Sequence, residues 1–133
     1  MIDKIFKFIF SKKVFTKPKQ FDLIVIDEAQ KEIFSDYLKN YNHSFLDIRL
    51  NKVNLYVLFK TIIKFKFKTN FYRYICEYLK FTNCKIILTF NDNLLCFDEL
   101  KKDLKNIITI SIQNGHRRDF FFNDLNQNND LMC

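Results

Sequence analysis

The chain has very few of the residues that build tight turns. Its 133 residues include one glycine and one proline, and no tryptophan. Folds made of many short strands and tight turns, such as β-sandwiches, need many more turn residues, so this class is disfavoured. Seventeen phenylalanines and abundant aliphatic residues supply ample core material. A chain of this length can bury roughly two-thirds of its unfolded surface, which fits one folded domain.

Closely spaced metal ligands are also lacking. The four cysteines form no Cys-x-x-Cys pair and have no histidine close by: Cys76, Cys84, Cys96 and Cys133. Zinc sites need such spacing, so we expect no metal site, and we expect no cofactor. Cys76 and Cys84 lie among apolar residues, which is typical of small core side chains. Unpaired cysteines fit a reducing, cytoplasmic compartment.

No apolar run is long enough for a signal peptide or a membrane span. Residues 1–16 are apolar but are interrupted by four lysines. Their apolar residues recur at helical spacing, opposite the lysines: Ile2, Ile5, Phe6, Ile9 and Phe10. This pattern predicts an amphipathic helix that either covers a neighbouring hydrophobic surface or lies on an anionic membrane.

The formal net charge of +7 raises the question of nucleic-acid binding. The lysines are spread along the sequence, and Lys, Asn, Ile and Phe are enriched together, as A+T-rich coding produces. The nearest candidate for a phosphate-binding face is Lys64–Lys68, where lysine alternates with phenylalanine. We expect no specific nucleic-acid partner. The charge favours anionic partners such as sugar nucleotides or an acidic membrane surface.

Strands alternate with helices along the chain. Apolar runs predict strands at 21–26, 44–50, 85–90 and 107–112, and helical spacing between them gives the order βαβααβαβ. This order predicts an α/β fold with an open, mostly parallel, Rossmann-like sheet of about four strands and helices on both faces. The expected organisation is an N-terminal amphipathic segment (1–16), a Rossmann-like domain (17–118) and a polar tail that begins further structure (119–133).

The carboxyl ends of parallel strands meet at one edge, where α/β proteins bind ligands. The only glycine, Gly115, follows the last strand and permits close approach of a ligand to the main chain. Asp27 also fits a helix N-cap, Asn91–Asn93 an ordinary turn, and Arg117 a solvated side chain. His116 is the one histidine placed for acid–base chemistry, and no catalytic residue is assigned. The predicted substrate-binding residues are Asp27, Asn91, Asp92, Asn93, Gln113, Asn114, Gly115 and Arg117.

Residues 21–30 resemble the Asp-Glu-Ala-Gln magnesium motif of helicase-type ATPases. Those enzymes need a glycine-rich phosphate loop upstream of that strand. No glycine precedes Gly115, and the residues upstream are too few for the strand–loop–helix unit that carries such a loop. We therefore reject ATPase activity.

A family resemblance is carried by five segments in order. They are Val25–Asp27, Val53–Leu58, Tyr74–Leu79, Lys85–Thr89 with Asn91–Asn93, and Ile110–Arg117. Together they resemble the N-terminal half of the bacterial surface carbohydrate (polysaccharide) biosynthesis proteins over about residues 20–118. The Asp-Asn loop and the Ile-Gln-Asn-Gly-x-Arg turn are the most specific pieces.

The resemblance implies half of a GT-B-like glycosyltransferase, in which two Rossmann-like domains face each other across a cleft. The C-terminal domain mainly binds the donor sugar nucleotide, and the N-terminal domain shapes the side of the glycan acceptor. This chain would be the acceptor-side domain or fragment, inactive without a C-terminal domain that is missing or separate. It would act in the cytoplasm, in peripheral contact with the inner face of the membrane.

The resemblance also assigns roles. Gln113, Asn114 and Gly115 would frame the cleft, Asp92 and Asn93 would contact the acceptor or the domain interface, and Arg117 would steer phosphate. Related teichoic-acid glycerophosphotransferases carry Gln-His-Gly where Asn114 stands in the middle position here, so no catalytic histidine is carried over. Two alternatives stay open. One is a basic interaction module that binds nucleic acid or an anionic membrane, and the other is a fragment without activity of its own.

Overall fold

The computed structural model describes residues 2–28, 31–89, 95–112 and 131–132. Within them the elements between residues 23 and 111 follow the predicted βαβααβαβ order, with one additional short strand at Lys52–Asn54. The elements in chain order are α1 (Ile2–Phe10), β1 (Lys12–Val14), β2 (Leu23–Ile26), α2 (Lys31–Leu38), β3 (His43–Leu46), β4 (Lys52–Asn54), α3 (Leu55–Lys64), α4 (Phe71–Thr82), β5 (Ile86–Thr89), α5 (Leu95–Asp103), β6 (Ile108–Ser111) and β7 (Leu131–Met132).

Five strands form one sheet in the order β3-β2-β5-β6-β7, and every adjacent pair is parallel. The predicted open, parallel, Rossmann-like sheet is therefore confirmed. The chain begins the sheet at β2, adds β3 on one side, and then crosses to add β5 on the other side. This is the order of doubly wound folds of the flavodoxin type, and its topological switch point lies between β2 and β5.

Both faces of the sheet are covered, because successive strand residues point to opposite sides. On one face Ile24, Ile26 and Ile87 pack against buried side chains of α3, α4 and α5. On the other face Val25, Phe45 and Leu88 pack with residues of α2. Helices on both faces, as predicted, explain why β2 reads as a continuous apolar run.

Asparagine residues cap the N-termini of two helices and end one of them, which are positions where other chains often use serine or glycine. The side chains of Asn54 and Asn70 cap α3 and α4 by accepting from the amides of Val57 at 3.0 Å and Arg73 at 2.9 Å. Asn83 ends α4 in the left-handed conformation, with φ of 53°. Asparagine tolerates that conformation better than most residues, so a chain with one glycine can still terminate its helices.

Two features differ from the sequence prediction. The strand predicted at 44–50 ends at Leu46, and a separate strand, β4, follows the turn and pairs in parallel with β1 in a two-stranded sheet. The tail, for which no complete element was predicted, contributes β7 beside β6. The N-terminal helix is confirmed as α1, and its Phe8 packs against the core.

Candidate functional site

All five strands of the large sheet end level with one another. Their last residues form a single row across the sheet: Leu46, Ile26, Thr89, Ser111 and Met132. Because neighbouring strands lie roughly 4.8 Å apart, the residues that follow the row start side by side at one edge. The predicted convergence of the strand ends at one edge of the sheet is thus confirmed.

Of the predicted binding residues, Asp27 lies within the described part of the chain, directly after the row. Asn91, Asp92 and Asn93, and likewise Gln113, Asn114, Gly115 and Arg117, lie outside the described residues. The strands that lead to them are described. β5 ends at Thr89 and β6 at Ser111, so each of these segments begins two residues beyond the row.

Asp47 creates the sharp end of β3. Its side chain is buried, with 4% exposure. One carboxylate oxygen accepts from the amide of Arg49 at 2.7 Å, and the other accepts from the amide of Lys52 at 2.6 Å. These bonds replace the ladder that a longer strand would have made, as aspartate commonly does in turns. The predicted strand to residue 50 is wrong for this reason.

Asp27 is held by an arginine from the neighbouring strand end. Arg49 donates to the Asp27 carboxylate through Nε at 3.1 Å and Nη2 at 2.7 Å. The hydrogen bond and charge of Asp27 raise the pKa of Arg49. Asp27 has a φ of 82°, and the described part of α2 begins at Lys31. The pair fixes a carboxylate and a guanidinium at the carboxyl edge, beside the switch point.

A cavity of about 180 Å³ lies next to the edge strand β3. Ser44 and Asp47 line it from the strand side, and Tyr74 and Tyr78 line it from α4. Burial raises the pKa of Tyr74 to about 12, and its hydroxyl accepts from the Asn54 amide at 3.0 Å. Three lysines also line the cavity: Lys17, Lys19 and Lys52. It is smaller than the roughly 300–1,000 Å³ of typical ligand pockets, so it suits a small anionic or hydroxylated group.

The two cysteines of the described core are structural residues and belong to neither a disulfide nor a cluster of metal ligands. Cys76 and Cys84 are free and buried, and burial raises the pKa of both thiols. Their expected place as small core side chains is confirmed. In the described ranges no three His, Cys, Asp or Glu side chains cluster closely enough to hold a metal ion. No helix there is long and apolar enough to cross a bilayer.

Sequence reasoning missed three polar residues at the carboxyl edge. Asp47 was hidden inside an apolar run, although an aspartate between Leu46 and Ile48 is itself a turn signal. Thr89 and Ser111, with 0% and 2% exposure, are register partners in the strand-end row. A hydroxyl residue that closes each apolar run would have been the available signal. These three groups place polar side chains at the ends of β3, β5 and β6.

Comparison with known proteins assigns no family: no protein-family model, no curated protein and no solved structure matches the chain.

Proposed function

We propose that this chain is the acceptor-side, Rossmann-like domain of a GT-B-like glycosyltransferase in bacterial surface polysaccharide synthesis. The observation that carries the proposal is the row of five level strand ends, with the switch point between β2 and β5. Open α/β sheets bind ligands at that point. The segments that start there contain Asp27 on one side and Asn91–Asn93 on the other.

The residue types that follow the strand ends in the sequence suit a carbohydrate. Carboxylate and amide groups hydrogen-bond hydroxyl pairs, and Asp92, Asn93, Gln113 and Asn114 supply both kinds. Asp27 is restrained by Arg49, so its carboxylate is already oriented when a ligand arrives. Restraint of this kind lowers the entropy cost of binding. In this scheme Gly115 lets the sugar approach the main chain, and Arg117 contacts phosphate.

Transfer would also require a donor-binding domain, so we expect the chain alone to bind glycan acceptors without turnover. The test is an NMR titration of the ¹⁵N-labelled chain with a panel of oligosaccharides and, separately, with UDP-glucose. We expect an oligosaccharide to shift the amides of Asp27, Thr89, Ser111 and Ile112, which border the edge. Shifts confined to other surfaces, or none with any oligosaccharide, would refute the acceptor-side assignment.

A matched pair of variants sharpens the test. Asn114→Ala removes an amide from the proposed cleft, whereas Asn106→Ala removes an exposed amide before β6, at the opposite edge of the sheet. We expect Asn114→Ala to weaken oligosaccharide binding about fivefold to tenfold, as loss of one or two hydrogen bonds does. Asn106→Ala should bind as the parent does. Gly115→Val, which blocks close approach to the main chain, should abolish binding while β6 stays folded.

A further inference from the structure

The charges of this chain are segregated, although its lysines look dispersed in the sequence. Residues 4–21 and 48–76 contain no aspartate or glutamate. They carry six and seven basic residues, which is thirteen of the 22 in the chain. The remaining residues hold nine basic and all fifteen acidic side chains, so they are net negative. Such asymmetry between parts of one chain points to an anionic partner for the basic part.

The fold brings these two acid-free stretches together. β1 of the first pairs in parallel with β4 of the second, with Lys12 opposite Lys52. Phe8 of α1 shares an apolar cavity of about 170 Å³ with Leu58 of α3 and Phe71 of α4. Helix α1, β1 with the following Phe15, helix α3, the turn at 65–68 and the start of α4 are therefore neighbours in the fold, and we call their exposed surface the basic aromatic face.

Large apolar side chains are exposed on this face. Among the described side chains, eleven large hydrophobic residues are exposed, and eight of them belong to the two stretches. Phe10 at 83% and Phe67 at 85% are the most exposed of all. Soluble proteins keep exposed apolar patches small unless a partner uses them. The eight are Phe6, Ile9, Phe10, Phe15, Phe59, Ile63, Phe67 and Phe71.

The lysines of the face are largely unneutralised. Among the side chains that the structure describes, Lys12, Lys60, Lys66 and Lys68 form no ion pair. The next acidic residue beyond the second stretch, Glu77, is occupied by Lys64 at 2.8 Å and by Lys80 at 3.3 Å. Exposed phenylalanines beside free lysines are the composition of protein segments that lie in a membrane interface.

We propose that the basic aromatic face docks on an anionic lipid bilayer, with α1 lying in the headgroup region. A positive surface attracts anionic lipid, and the exposed Phe and Ile side chains enter the acyl boundary while lysine heads stay among the phosphates. This surface is different from the carboxyl edge on which the glycosyltransferase proposal rests, so either proposal can fail without affecting the other.

The observations favour lipid over nucleic acid. Eleven of the thirteen basic residues are lysines, and both arginines are engaged within the protein. Arg49 holds Asp27, and Arg73 lies over the ring of Phe65 at 4.6 Å and donates to the carbonyl of Lys68. Arginine forks are the preferred groups for bidentate contacts to phosphates and bases, and neither arginine is available for them. Exposed aliphatic residues such as Ile9 and Ile63 cannot stack on bases, but they can insert into the acyl region of a bilayer.

The test is flotation of the full chain with vesicles of phosphatidylglycerol and phosphatidylcholine, compared with vesicles of phosphatidylcholine alone. We expect binding to the anionic vesicles that weakens as salt rises, because screening shortens the reach of the surface potential. Equal binding to neutral vesicles, or no binding to anionic ones, would overturn the proposal. Tight binding of a random DNA duplex, with no preference for vesicles, would also overturn it.

Two pairs of substitutions locate the surface. Phe10→Ser with Phe67→Asn removes the two most exposed rings, and asparagine tolerates the φ of 66° at position 67. We expect the partition coefficient of the protein onto anionic vesicles to fall about tenfold. Full burial of two phenylalanine side chains would contribute more than this, but these rings enter the bilayer only in part. Lys66→Gln with Lys68→Gln should weaken it about thirtyfold, from roughly 1 kcal/mol per lysine at an anionic surface.

Each pair has a matched control away from the face. Tyr37→Ser with Tyr41→Ser removes two rings that are 75% and 64% exposed. Lys39→Gln with Lys102→Gln removes two exposed lysines. Both controls should bind anionic vesicles as the parent does, and all four variants should keep the parent circular dichroism spectrum. If the controls weaken binding as much as the test pairs do, the face is not the docking surface.

Discussion

Replacing Asp47 with alanine should destabilise the protein by removing a buried acceptor of two backbone hydrogen bonds. The buried carboxylate accepts from the amides of Arg49 and Lys52 at 2.7 and 2.6 Å. Alanine leaves both amides without a partner. A hydrogen bond to a charged group contributes about 1.5–3 kcal/mol, so the expected loss for the two bonds is about 3–6 kcal/mol. Asp47→Asn keeps one acceptor oxygen and should cost about half as much.

The assay is urea unfolding followed by circular dichroism, with Asp36→Ala as the matched control, because Asp36 is exposed on α2. The control should change the unfolding free energy by less than about 0.5 kcal/mol. Arg49→Ala should cost less than Asp47→Ala, because 58% of the arginine side chain is exposed in its pair with Asp27, whose side chain is 11% exposed. If Asp47→Ala behaves like its control, the turn does not depend on the carboxylate, and our account of the end of β3 is wrong.

Four further predictions concern the core and its titration. Leu79→Ala empties a fully buried position of α4 and should cost about 2–5 kcal/mol in unfolding free energy, and a smaller loss would mean that the helix does not pack as described. Asn83→Val forces a β-branched residue into the left-handed conformation and should cost about 1–3 kcal/mol, whereas Asn83→Gly should cost almost nothing; equal losses would rule out the helix-ending role. Because burial raises the pKa of Tyr74 from 10.0 to about 12, the unfolded chain loses its phenolic proton first, so this contribution to stability is complete below pH 10 and is lost between pH 10 and 12. Urea midpoints across that range should fall less steeply for Tyr74→Phe than for the parent, and identical slopes would exclude Tyr74 as a source of the fall. Buried, high-pKa thiols should leave Cys76 and Cys84 unmodified by iodoacetamide until urea unfolds the chain, as peptide mass mapping would detect, and rapid native labelling would contradict their burial.

The large sheet could be predicted because its signals are local. Each buried strand is a continuous apolar run, and each helix repeats apolar residues at helical spacing, as in Tyr74, Ile75 and Leu79 of α4. Alternation of the two then implies parallel pairing. The positions of Cys76 and Cys84 followed from the same patterns.

The rest depends on contacts between distant parts of the chain. The pairing of β1 with β4 joins residues 12–14 to residues 52–54, and neither strand is long enough to show alternation. β3 looked longer than it is because Asp47 interrupts an otherwise apolar run. The basic aromatic face exists only after residues 4–21 fold against residues 48–76. At the carboxyl edge, the sequence pattern predicted Asp27 as a binding residue but did not predict its hydrogen bonds with Arg49.

The fold and the proposed function both depend on five parallel strands that end in one row, so that the following segments start at a common edge. Cross-strand nuclear Overhauser effects in the labelled chain test it most directly. The account predicts effects that link Ile26 to Leu46 on one side and to Thr89 on the other, with a further link between Thr89 and Ser111. An antiparallel pattern, or β5 paired with a strand other than β2 and β6, would contradict it.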